Sequence, residues 1–336
     1  ERNPNDEILF IGTETGLENI LVPAAGYSLL HIPRVSIARS LSPSLLKVPF
    51  QLISAVGKTM KSLRGVDCAI GFGGYVSAPL YCAALLTRTP FVIHEQNARP
   101  GWANKIGALL TPYLAVSYPV ADGPLSKAEL TGLPLRADVV AALTNSNDDW
   151  NGARAAAKKS LALRYDFDST KPLIFIFGGS QGSVAINSVI EQARPIIEKQ
   201  GAVVLHGVGK NNPLPASSNT YIPLNYIDEM AQCYLAADLL ISRSGAVTCA
   251  EAAALARYSL FIPLPIGNGE QALNADTLVK AGRAELIEQS KFTVAWLEDN
   301  LTRLFSRSAE QSASGDASTA GAADKIADII EKAIEA

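Results

Sequence analysis

Apolar residues in this chain fall into short unbroken runs, such as PLIFIF at 172–177 and DLLIS at 238–242. Between them lie longer stretches in which apolar positions recur every third or fourth residue, such as SVAINSVIEQARPII after Gly182. Runs of the first kind suit strands buried on both faces, and stretches of the second suit amphipathic helices. Strands are expected near 8–11, 67–70, 90–94 and 113–116, alternating with helices near 77–86 and 101–110; a second series is expected near 172, 202, 238, 259 and 284. Alternation of this kind implies parallel sheets covered on both faces, so the chain reads as α/β with two Rossmann-like doubly wound domains. Pro134 and the polar cluster NSNDDWN at 145–151 mark the region between the halves. SRSAEQSASGDASTAGA at 306–322 reads as a low-complexity linker, and KIADIIEKAIEA as a final amphipathic helix.

Composition narrows the class. A chain of 336 residues, 48% of them apolar, can bury more than one core. A net charge of -3 carries no nucleic-acid signal. Cys68, Cys82, Cys233 and Cys249 lack CxxC spacing, which suits buried thiols in a reducing compartment rather than disulfides or zinc. No apolar run approaches the roughly 20 residues needed to cross a bilayer.

Three turns in the second half carry candidate chemistry: GGSQG at 178–182, SGAVTCAE at 244–251 and GEQALNA at 269–275. The first lies between a strand and a helix. Its glycines let backbone amides approach an anion, Ser180 can donate its hydroxyl, and the helix start adds unpaired N–H groups and a positive dipole end. A ligand-free strand-to-helix connection has about equal standing for this turn alone. A dinucleotide would need an acid at the end of the next strand for its ribose, and AVVLHGVG at 202–209 ends in His206 and Gly207, so NAD is disfavoured. In the second turn Thr248 and Glu251 sit one helical turn apart; a carboxylate there can accept from both ribose hydroxyls, although an ordinary capping box fits as well. The third supplies Glu270, Gln271 and Asn274 at another helix start. Polar side chains at three neighbouring strand ends argue for a ligand more strongly than any one of them.

The strings GFGGYVSAP (71–79), HEQNARPGWANK (94–105), GLPLRADV (132–139), GGSQG, SRSGAVTCAE and GNGEQALNADTLVKAGRA (267–284) together resemble the MurG family of UDP-N-acetylglucosamine transferases. The resemblance runs in order from about residue 8 to 290. It implies a glycosyltransferase-B architecture and transfer of N-acetylglucosamine from UDP-N-acetylglucosamine to the C4 hydroxyl of undecaprenyl-linked lipid I, giving lipid II for peptidoglycan, with inversion and with no metal or other cofactor. Residues 1–136 would form the acceptor and membrane-side domain, 137–310 the donor domain, and 323–336 a helix packing back on the first. By the same resemblance Asn97 contacts the donor sugar, Arg136 reaches the donor from the hinge, and Ser180 lies by the diphosphate. Ile227 recognises uracil through its backbone, Ala246, Val247, Thr248, Cys249, Ala250 and Glu251 bracket phosphate and ribose, and Gln271 reads the sugar hydroxyls.

One departure bears on catalysis. The family opens with a strand and a GGTGGH-type loop facing the acceptor diphosphate, whereas this chain starts at ERNPNDEILFIGTETGLE, which matches the family's segment beyond that loop and its helix. The expectation is therefore a fragment lacking the first strand, loop and helix, with poor turnover. His31, His94 and His206 do not replace the loop histidine, the catalytic base is left unassigned, and Glu95 is a possible contributor. A metal-dependent transferase would want a DxD pair at the diphosphate. DFD at 166–168 precedes its strand and reads as a surface turn.

Charge distribution bears on location. No acidic residue stands between Glu18 and Asp67, while Arg34, Arg39, Lys47, Lys58, Lys61 and Arg64 punctuate the apolar stretch LLKVPFQLISAV. Such a segment suits anionic headgroups, and equally a solvated basic face on a core helix. Given a lipid-linked acceptor, peripheral attachment to the cytoplasmic side of the cell membrane is expected. A UDP-N-acetylglucosamine 2-epimerase of the same architecture, or a noncatalytic UDP-sugar-binding subunit, would share the donor contacts.

Overall fold

The structure, a computed structural model, describes residues 2–34, 48–255 and 257–336. The chain divides into two compact units. One gathers Glu1–Gln96, Pro100–Leu130 and Asp324–Ala336; the other gathers Asn97–Arg99 and Thr131–Ala323.

In the first unit β1 (Leu9–Gly12), α1 (Glu18–Ala24) and β2 (Ser28–His31) form a small parallel pair. After α2 (Val48–Ser62) come β3 (Ala69–Gly71), α3 (Gly74–Thr87), β4 (Phe91–Glu95), α4 (Trp102–Gly107), β5 (Leu114–Val116) and β6 (Glu129–Leu130). These last four strands make a separate parallel sheet in the order β3-β4-β5-β6. Burial on both faces of the sheet explains why β5 and the first three residues of β4 are apolar without alternation. Phe91, Ile93, Leu114 and Val116 face a core with Leu80 and Tyr81 of α3, while Val92 and Ala115 face Ile326, Ile329 and Ala333 of the C-terminal helix. Arg2 adds an ion pair to Asp328 of that helix at 2.6 Å. The short β2 and β6 were not expected from the pattern.

The second unit begins with α5 (Ala137–Ser146) and α6 (Trp150–Tyr165), followed by β7 (Leu173–Phe177), α7 (Val184–Lys199), β8 (Val203–Gly207), β9 (Tyr221–Leu224), α8 (Met230–Ala236) and β10 (Leu239–Ser242). It continues with α9 (Ala246–Leu255), β11 (Ser259–Phe261), α10 (Glu270–Asn274), α11 (Asp276–Lys280), β12 (Ala284–Leu286), α12 (Val294–Glu310) and α13 (Ala322–Glu335), whose residues from Asp324 on belong to the first unit. Six parallel strands run in the order β12-β11-β10-β7-β8-β9. Leu173, Phe175 and Phe177 point to a core with α5, α6 and α8; Ile174 and Ile176 point to the other, with α7 and α12. Every predicted strand of this half is present. Unforeseen β9 is an edge strand carrying Pro223, which breaks the apolar pattern and is tolerated because an edge needs fewer ladder donors.

Two connections differ from expectation. NSNDDWN is the joint between α5 and α6, where Asp149 caps α6 by accepting from the Gly152 amide at 2.8 Å; the chain leaves the first unit earlier, at Leu130. The stretch at 306–322 is helical through Glu310, and beyond it Asp316 donates its amide to the Ala253 carbonyl at 3.0 Å. A Cβ on Gly315 would stand 1.6 Å from the Ala254 carbonyl oxygen, so the residue's lack of a side chain lets this strap lie against α9. DFD is a turn: Asp166 ends α6 and the exposed Asp168 accepts from the Thr170 amide at 2.9 Å, at the entry to β7.

Candidate active site

The strand order places the turns after β11, β10 and β7 side by side at the carboxyl edge of one sheet. Between β10 and β7 the order reverses direction, and this is the crevice where open α/β sheets receive ligands.

The glycine turn is held from below. Gly179 and Gly182 take φ of 92° and 73°, and a Cβ on Gly182 would stand 1.9 Å from the Val208 carbonyl oxygen. Asn212 donates to the carbonyls of Gln181 and Val208, both at 2.9 Å, tying this turn to the loop after β8. Beneath them His206 is enclosed. Asn187 donates its amide to the Val208 carbonyl at 2.9 Å, which leaves its Oδ1 to accept from His206 Nε2 at 3.1 Å, while Tyr221 donates its hydroxyl to Nδ1 at 2.8 Å. Burial drives the imidazole pKa down to about 4, so the ring is a neutral brace. Ser183, not Ser180, caps α7; Ser180 stands exposed at the tip of the turn.

Sequence reasoning missed Arg243. Its guanidinium is buried at the end of β10 and donates to the Ile262 carbonyl at 3.0 Å, to Ser183 Oγ at 2.7 Å and to Gln289 Oε1 at 2.6 Å. All three are neutral acceptors, and desolvation holds its pKa below the ordinary arginine value. An arginine at the end of an apolar strand, directly before a small-residue helix start, was the available signal. Its charge adds to the dipoles of α7 and α9 at the switch point, a field that favours an anion.

Of the stretch expected to bracket phosphate and ribose, Ala246, Cys249 and Ala250 are buried in α9, Val247 is exposed and Thr248 half-buried. Burial pushes the Cys249 thiol upward, leaving it a packing residue. Glu251 is 1% exposed and takes a bidentate pair from Arg136, Nε to Oε1 and Nη2 to Oε2, both at 2.6 Å. Desolvation works against the Arg136 charge, yet the bonds and charge of Glu251 prevail and its pKa lies above the ordinary value. A bidentate arginine uses one lone-pair site on each carboxylate oxygen, so one on each is left for a diol. Beside the pair lies the fully buried Tyr234 hydroxyl, its pKa raised by desolvation and then by Glu251.

Asn97 is brought to this unit by Asn274. The Asn274 amide donates to Asn97 Oδ1 at 3.2 Å and to the Ser244 carbonyl at 3.3 Å, and its Oδ1 accepts from the Ala98 amide at 2.8 Å. Gln271 is half-buried and accepts from the Leu264 amide at 3.0 Å. Ile227 buries its side chain against Gly207, and among the described residues no hydrogen bond reaches its backbone amide or carbonyl.

Glu95, in the first unit, is 3% exposed, and its Oε2 accepts from the Gly101 amide at 3.0 Å and from Asn104 at 2.9 Å; Tyr81 in turn donates to Asn104 at 2.7 Å. That geometry is a brace for the turn before α4, and a buried carboxylate so engaged is poorly placed to take a proton from a substrate. Among the described residues no group of His, Cys, Asp and Glu could hold a metal ion.

Residues 2–111 match the glycosyltransferase family 28 N-terminal domain and residues 173–332 the family 28 C-terminal domain. The UDP-N-acetylglucosamine--N-acetylmuramyl-(pentapeptide) pyrophosphoryl-undecaprenol N-acetylglucosamine transferase of Corynebacterium glutamicum is 43% identical over 331 residues, 97% of this chain and 89% of the relative. Among solved structures, MurG of Acinetobacter baumannii aligns over 97% of this chain and 91% of its own with a TM-score of 0.68 and 26% identity. A UDP-GlcNAc 2-epimerase from Neisseria meningitidis aligns over 97% and 91% with a TM-score of 0.56 at 14% identity, a likeness of fold alone.

Proposed function

For a chain that belongs to the MurG family, within glycosyltransferase family 28, we propose a donor site at the β10/β7 switch point and action at a membrane surface. The activity is transfer of N-acetylglucosamine from UDP-N-acetylglucosamine to N-acetylmuramyl-pentapeptide carried on pyrophosphoryl-undecaprenol, the step that yields lipid II. The observation that carries the site is the adjacency of the turns after β11, β10 and β7, with Arg243 uncompensated beneath them.

In this reading the amides of the glycine turn, Ser180 and the starts of α7 and α9 receive the diphosphate. The free backbone groups of Ile227 pair with uracil, Glu251 accepts from the ribose hydroxyls while Arg136 fixes its plane, and Gln271 and Asn97 meet the sugar. The acceptor C4 oxygen bonds to the anomeric carbon, the bond from that carbon to the UDP oxygen breaks with inversion, and the hydroxyl proton passes to a base. Helix dipoles and Arg243 stabilise the charge that develops on departing UDP. That role falls on groups already fixed in place, so none of them reorganises as the bond breaks.

Membrane contact rests on the first unit. Phe50 and Ile53 of α2 are 77% and 70% exposed, Leu109 after α4 is 71% exposed, and Lys58, Lys61 and Lys105 stand on the same helices. Apolar side chains with basic neighbours suit an anionic interface. Arg39 and Lys47 lie outside the described residues. No described helix is long and apolar enough to cross a membrane.

Incubation with UDP-N-acetylglucosamine and a lipid I analogue, with calorimetric binding of the donor alone, tests the reading. Disaccharide-lipid product is expected. UDP-N-acetylmannosamine would replace the transferase with an epimerase, and failure to bind the donor would refute the site.

A further inference from the structure

At the opposite edge of the donor sheet, where β10 begins, a cavity of about 190 Å³ is lined by Asn151, Arg154 and Lys158 of α6, by the segment Leu235–Asp238, and by Arg257. Three cations and one carboxylate face it, a surplus of two positive charges. The carboxylate is already engaged. Asp238 Oδ2 accepts from Lys158 Nζ and from the Leu173 amide, both at 2.7 Å.

Arg154 is buried and has no acidic hydrogen-bond partner. Its Nε, Nη1 and Nη2 donate to the carbonyls of Ala313, Leu235 and Leu255 at 3.0, 2.9 and 2.6 Å. Desolvation, then the charge of Arg257, pulls its pKa down to about 10. The Arg257 Nε is buried without a hydrogen-bond partner among the described residues. A donor left unpaired in a buried setting is destabilising, and guanidinium groups that repel one another add to that cost.

We propose that this cavity is a binding site for a small oxyanion of the phosphate type, received by Arg257 and Lys158 against the fixed charge of Arg154. A tetrahedral dianion cancels the surplus charge and supplies acceptors to the unpaired Nε. The site is separate from the diphosphate seat, which lies at the carboxyl ends of the same strands. It shares α9 with that seat, because Arg154 holds the Leu255 carbonyl at the end of the helix that carries Glu251.

The probe is inorganic phosphate, titrated against the whole chain in a thermal melt with UDP held in excess and sodium chloride replaced to keep ionic strength constant. A saturable rise in melting temperature is expected. In R257Q half-saturation moves to at least about tenfold higher phosphate, the loss of one charge-assisted bond. Ala155→Glu, at an exposed lining position, places a carboxylate at the mouth and abolishes the rise without disturbing the core. The comparison between variants does not depend on UDP binding, so it stands apart from the transferase reading. No saturable effect in the unaltered chain, or an effect of equal strength in both variants, overturns the proposal.

Discussion

Arg136 and Glu251 share one ion pair but not one environment, and that asymmetry gives a sharp test. The Glu251 side chain is 1% exposed and the Arg136 side chain 44%. Replacing Arg136 with Met keeps an aliphatic stem and strands a carboxylate in the protein interior, for which about 3–5 kcal/mol of destabilisation is expected. Replacing Glu251 with Gln strands a guanidinium that is nearly half in water, where solvent screens and hydrates it; about 1–2 kcal/mol is expected. Urea unfolding monitored by tryptophan fluorescence reads the unit concerned through Trp150 and Trp296 once Trp102, which lies in the first unit, is replaced by Phe in every variant. With a slope of roughly 2 kcal/mol per M urea, R136M should lower the midpoint by about 1.5–2.5 M and E251Q by less than about 1 M. The double variant buries no charge and should be more stable than R136M alone. Equal losses in the two single variants, or a greater loss in E251Q, would refute the account of a buried carboxylate held by a half-exposed partner.

Three further outcomes rest on the same geometry. Glu251→Ala should weaken UDP binding by about 1.5–3 kcal/mol in calorimetry, the worth of charge-assisted bonds to the ribose; unchanged affinity would remove the residue from the site. His206, with a folded pKa of about 4 against about 6.5 unfolded, leaves stability intact above pH 6.5 and costs it progressively as pH falls towards 4, up to about 3 kcal/mol. The H206Q variant should lose that part of the pH dependence in urea melts at pH 7 and 4.5, and an unaltered dependence would place the titration elsewhere. Exchanging Phe50 and Ile53 for Ser should reduce co-sedimentation with vesicles of anionic phospholipid while leaving UDP affinity unchanged, and undiminished sedimentation would count against this face.

Local pattern determined a good deal by itself. Apolar runs bounded by glycine turns locate the predicted strands of the second unit, because strands such as β7 and β10, buried on both faces, have few polar positions to blur them. The three turns that bear the candidate chemistry were legible for the same reason, since small residues at strand ends are required by the backbone. Tertiary structure alone decided partnership. Arg136 and Glu251 stand 115 residues apart, Arg243 reaches Ser183 across 60, and Asn274 gathers Asn97 across 177. Nothing local encodes such pairings, because a buried charge takes whichever partner the folded sheet order sets beside it. Strand order likewise placed the reversal between β10 and β7, and it set beside Glu95 and His206 the hydrogen-bond partners from other elements that no local pattern announced.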